Sequence, residues 1–117
     1  MRHIDLTLVA TNGNPFPLTT PDFDFSVSGA LVQRVGANGI SCGPTATLKL
    51  TAPANSLEID GVSGAPGVIL AASTAPPHAD SRTIIRSGPY HFIFDFTAIK
   101  VIHFVGDELE LHFIDLP

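Results

Sequence analysis

From Tyr90 to Leu116, polar and hydrophobic positions alternate through three successive blocks, which hold five of the eight Phe residues in the chain. Tyr90, Phe92, Phe94 and Phe96 alternate with His91, Ile93, Asp95 and Thr97. A period of two places that aromatic stripe on one face of a β-sheet. Gly106-Asp107 then separates two apolar runs, a dipeptide that predicts a two-residue hairpin. The hairpin register would set Phe104 opposite Leu109, His103 opposite Glu110, Ile102 opposite Leu111 and Val101 opposite His112. Its core face would carry Ile102, Phe104, Leu109, Leu111 and Phe113. Its other face would carry Val101, His103, Val105, Glu108, Glu110 and His112.

The same alternation runs through the earlier chain. His3 to Leu8 predicts an opening strand with Ile4, Leu6 and Leu8 on one side. Residues 10–21 contain Asn12-Gly13-Asn14-Pro15, Pro17 and Pro21, which remove backbone donors and fix φ, so a loop or arm is expected there. Phe23, Phe25 and Val27 resume the alternation, and Ala30 to Val35 would continue the strand beyond a bulge at Ser28-Gly29. Thr45–Ala52 and Leu57–Val62 read as strands, Val68-Ile69-Leu70 as a short buried run, residues 75–81 as a proline-rich loop, and Arg82–Arg86 as a strand. No window carries a helical stripe. The pattern predicts an all-β chain: residues 1–117 as a single antiparallel β-sandwich of about eight or nine strands, with jelly-roll or immunoglobulin-like topology. A small β-barrel is the alternative. The absence of Trp and of a cysteine pair removes the mark of an antibody-type domain.

Composition narrows the chemistry. Of the 117 residues, 44% are hydrophobic and 15% charged, and the mean hydropathy of +0.31 leaves apolar surface to spare for an interface. Six basic residues stand against eleven acidic ones, with no basic run, which makes nucleic acid a poor partner. Asp5 falls where the apolar core of an export signal would begin, so synthesis in the cytoplasm with no signal peptide is expected. No apolar run approaches the roughly 18 residues of a membrane span. A single cysteine, Cys42, excludes an intrachain disulfide, and nothing near it in sequence would activate its thiol.

In the hairpin register, His103 and Glu110 would be a cross-strand pair with His112 on the diagonal. Two imidazoles and a carboxylate are ligands suited to zinc or another first-row metal. The plainer reading of this face is an interface, and no cofactor is expected. Asp22/Asp24, Glu58/Asp60 and Glu108/Glu110 each project two carboxylates to one side of a strand, the usual polar face of an amphipathic strand. No nucleophile elbow or phosphate-binding glycine loop is present, and no catalytic residues are assigned. The expected function is therefore a non-enzymatic structural or interaction module. The concrete form is a small virion accessory protein, a capsid decoration (cement) or tail component made in the host cytoplasm and carried on the particle. It would bind itself, for which a trimer is suitable, and other structural proteins such as a capsid shell. The contact residues would be Phe16 and Pro17 on the arm and Val101, His103, Val105 and His112 on the hairpin. The alternative is a carbohydrate-binding sandwich using Phe16 and Tyr90 as sugar platforms.

Overall fold

In the computed structural model the described residues are 2–6, 14–15, 18–19, 22–27, 31–32, 40–42, 45–74 and 77–117. Thirteen strands lie among them: β1 (Arg2–Asp5), β2 (Asn14–Pro15), β3 (Leu18–Thr19), β4 (Phe23–Val27), β5 (Leu31–Val32), β6 (Ile40–Ser41), β7 (Thr45–Ala54), β8 (Leu57–Ser63), β9 (Gly67–Thr74), β10 (Pro77–Ile84), β11 (Gly88–Phe94), β12 (Ile99–Val105) and β13 (Leu109–Leu116). They form a five-stranded sheet in the order β1-β13-β8-β11, with β6 also on β13, and a six-stranded sheet in the order β10-β9-β12-β7-β4-β3. β2 and β5 make a separate pair. All pairings are antiparallel.

Eight of these strands, β1 and β7–β13, reproduce the jelly-roll. Taken in chain order as first to eighth, they give one sheet ordered first-eighth-third-sixth and a second ordered fifth-fourth-seventh-second, the two interlocked Greek keys of that architecture. After β7 the chain changes sheet at every connection except β9 to β10. The expected β-sandwich is thus present, with no closed barrel among the described residues.

The alternation explains which side each strand buries. In β7, Ala46, Leu48 and Leu50 are buried between Thr45, Thr47 and Lys49; in β8, Leu57 and Ile59 are buried between Glu58 and Asp60. Both sheets contribute to one core, with Phe23, Phe94 and Phe104 the largest side chains fully enclosed. Each such burial contributes about 1.5–3 kcal/mol against exposure. The aromatic stripe keeps its predicted side: Tyr90 and Phe94 are buried, and Phe92 and Phe96 pack against the core. Gly61 lies beneath Tyr90, where a Cβ would run into the tyrosine ring and the Glu110 carbonyl oxygen.

Five expectations are corrected. Gly106-Asp107 is not a hairpin: β12 pairs with β7 and β9, whereas β13 pairs with β1, β6 and β8. The reason is that the dipeptide carries the chain from one sheet to the other, a link that a pairwise register cannot reveal. Phe113 leaves the core face because the register on β8 shifts between Leu111 and Phe113, a bulge at His112 that buries Ile114 instead. Pro77–Ile84 is a strand paired with β9 through eight consecutive residues, so residues 77–81 of the expected loop belong to the sheet, while 75 and 76 lie outside the described residues. Leu31–Val32 pairs with Asn14–Pro15 and does not continue β4. Of the Val68-Ile69-Leu70 run, only Ile69 is buried. Within the expected arm, Leu18–Thr19 pairs with β4, and the other described residues, Asn14 and Pro15, form β2. Phe16, Pro17 and the remainder of 10–21 lie outside the described residues.

Candidate interaction surface

The six-stranded sheet buries Ala46, Leu48, Ile69, Ala71, Ile102 and Phe104, so their neighbours in β7, β9 and β12 face outward. Register arranges these outward residues in three rows. The first runs Thr45, Val105, Val68 and Thr83; the second Thr47, His103, Leu70 and Ser81; the third Lys49, Val101, Ala72 and Ala79. Five apolar side chains, Val68, Leu70, Ala72, Val101 and Val105, thus form a central band bordered by hydroxyl groups. Val105 is 51% exposed and Val68 38%. Ile85, just past the end of β10, is 73% exposed and lines a groove with Val68, Val105, Pro66 and Thr83. Charge enters at the margins, where Lys49 on β7 faces Asp24 on β4 and Asp107 lines the end of the groove. His103 sits within the band, hydrogen-bonded through Nδ1 to Thr47 Oγ1 at 3.3 Å.

Val101, His103 and Val105, three of the contact residues expected from sequence, therefore share one face. His112 does not join them. It belongs to the outer face of the five-stranded sheet, where its Nε2 lies 3.0 Å from Glu110 Oε1. His103 and Glu110 point away from the core on opposite sheets, which separates the metal trio His103, Glu110 and His112. Sequence reading also missed Val68, Leu70 and Ile85. In Val68-Ile69-Leu70-Ala71-Ala72 every residue is apolar, so there is no alternation from which to tell the two sides apart.

The five-stranded sheet presents a contrasting face of imidazoles and carboxylates. His3 Nδ1 meets Asp115 Oδ1 at 2.6 Å, and the His3 ring stacks on Phe113 with centroids 5.1 Å apart. His91 donates from Nδ1 to Asp60 at 2.5 Å, and its Nε2 lies 3.6 Å from Glu58. The Asp60 hydrogen bond, aided by the negative charges of Asp60, Glu58 and Asp115, raises the His91 pKa. The two carboxylates engage different ring nitrogens, so they do not converge on one ion. Among the described residues no group of three or more His, Cys, Asp or Glu side chains is arranged to hold a metal.

Two remaining candidates are placed by burial. Cys42 is fully buried, and burial first, then the charge of Glu110, pushes its thiol pKa far up, away from nucleophilic thiolate. Tyr90 is 7% exposed and donates its hydroxyl to the Glu110 carbonyl at 2.6 Å, so it offers no sugar platform. Its own pKa is raised, chiefly by burial. No helix among the described residues is long and apolar enough to cross a membrane.

No family model matches the chain, and no curated protein matches it. Among solved structures, oxalate decarboxylase from Lactobacillus farciminis in complex with formate aligns with 96% of this chain at 7% identity and a TM-score of 0.30. The chain spans 31% of the length of that protein. A likeness this slight carries no weight for fold or activity.

Proposed function

We propose that the chain is a non-enzymatic interaction module that docks through the outer face of its six-stranded sheet. The observation that carries this reading is the two-sided apolar character of β9 and β12. Ile69 and Ala71 face the core while Val68, Leu70 and Ala72 face outward; Ile102 and Phe104 face the core while Val101 and Val105 face outward. Strands with apolar residues on both sides belong in sheets covered on both sides, and an apolar band of this kind on a small protein marks a contact surface. The hydroxyl border of Thr45, Thr47, Ser81 and Thr83 suits the polar rim around an interface core.

In its concrete form the module is an accessory component of a virus particle, a capsid decoration or tail protein that contacts a structural shell and further copies of itself. The jelly-roll adds the support of fold association, since capsid proteins are among those built on it. Adding the purified chain to particles prepared without it tests this: saturable binding at a fixed copy number is expected, and loss of that binding in the Val68→Asp/Val105→Asp variant. A folded wild-type chain that stays free of the particles would contradict the reading.

A further inference from the structure

β10 is one of the two edge strands of the six-stranded sheet, and among the described residues nothing pairs with its outer edge. Its backbone orientation can be read from its contacts. The His78 carbonyl accepts a hydrogen bond from Ser73 Oγ on β9, so the backbone groups of His78 face β9. Ser81 behaves oppositely: its carbonyl accepts from Arg82 Nη1 at 3.1 Å, and its amide hydrogen is taken by the Asp80 carboxylate. Both polar groups of Ser81 therefore point away from β9, where the side chains of its two neighbours stand in for a missing strand. Asp80 and Arg82 are themselves joined at 2.7 Å. In an antiparallel strand this orientation alternates, which turns Ala79, Ser81 and Thr83 outward together.

We infer that this edge pairs with the β10 edge of a second copy across a two-fold axis at Ser81, joining two six-stranded sheets into one. Two identical edges can meet in registers centred on any residue of the strand, but centring on Asp80 or on Arg82 would oppose that charge to its own copy, which leaves Ala79, Ser81 and Thr83 as centres. Centring on Ala79 leaves Arg82 beyond the end of the partner strand, and centring on Thr83 sets Arg82 against Ile84. Centring on Ser81 overlaps residues 78–84 fully and sets Asp80 of each copy opposite Arg82 of the other. Those positions are non-hydrogen-bonded pairs, where facing side chains come closest and opposite charges favour the pairing. The Asp80–Arg82 bridge changes from a cap within one chain to two bridges between chains. Arg82 can keep its second contacts, Nη2 to the Ile93 carbonyl at 2.9 Å and the guanidinium over the Phe94 ring at 4.8 Å. The union also makes the apolar bands of the two copies parts of one continuous sheet. It closes with two copies, unlike the trimer anticipated from sequence.

This inference names the self-partner within the proposed interaction role and rests on it, but its test needs no particle. Light scattering on the purified chain should give twice 12.3 kDa. Asp80→Arg alone and Arg82→Asp alone should each set like charges opposite one another and weaken the dimer at least tenfold, and the double exchange D80R/R82D should restore it. Ser81→Pro should yield a monomer with an unchanged β-sheet spectrum, because the lost amide faces away from β9. A wild-type monomer overturns the inference. So does any single charge reversal that increases association, the behaviour of an edge that Arg82 guards. Particle binding by a monomeric wild type would leave the docking face standing while removing this edge.

Discussion

At the scale of single residues, buried polar contacts decide more than exposed ones. The Tyr90 hydroxyl links β11 to the Glu110 carbonyl of β13 across β8, passing over Gly61. Tyr90→Phe is expected to cost about 1 kcal/mol in denaturant unfolding, the worth of one such bond. His91 contributes less, because its side chain is half exposed and surface ion pairs contribute at most about 1 kcal/mol. Its sign is nevertheless fixed. With the folded pKa raised by Asp60, the contribution is complete below the ordinary histidine value of about 6.5 and disappears as pH rises through the folded value. Asp60→Asn should lower the His91 pKa in an NMR titration and flatten that part of the stability profile; an unmoved titration would remove Asp60 as the cause. Cys42, held neutral by burial, should react with a thiol reagent only when the protein is unfolded.

At the scale of elements, the strands were legible because each carries its own alternation, whereas the links were not. Thr45–Ala52 and Leu57–Val62 fall within the observed β7 and β8, and the last three strands lie where Tyr90 to Leu116 placed them. What went unread is partnership. A turn dipeptide such as Gly106-Asp107 has the same local chemistry whether its strands pair or part into opposite sheets, and a bulge at His112 reverses the sidedness of every later residue. Prolines at 76 and 77 suggested a long loop, yet Pro77 starts a strand, a position that needs no ladder donor. The β11–β12 link holds a further local feature: Ala98 has φ of 61°, while its amide donates to Asn55 Oδ1 at 3.1 Å. Left-handed backbone strains an alanine by about 1–2 kcal/mol, and part of the relief is offset by the greater chain entropy of glycine. Ala98→Gly is expected to stabilise the fold by about 0.5 kcal/mol in thermal or denaturant unfolding, and a loss of stability would show that this strain is absent.

At the scale of the whole molecule, the two sheets turn unlike faces outward. One is a mosaic of His3, His91 and His112 with their carboxylates; the other is an apolar band with a hydroxyl border. The sequence brought Val101, His103 and Val105 forward as contact residues through a hairpin that does not exist, and they share a face because β12 alone carries all three. Val68 and Leu70 completed that face only once β9 was placed beside β12, since long-range pairing leaves no trace in a uniformly apolar run. The surplus hydropathy of the composition has a structural address there. Substituting Asp at Val68 and Val105 together is the most direct measurement of the central claim, because both side chains are exposed and neither supports the core. The doubly substituted chain should keep its β-sheet spectrum and unfolding midpoint while its binding to particles prepared without it falls at least tenfold; undiminished binding by the folded variant would contradict the assignment of this face.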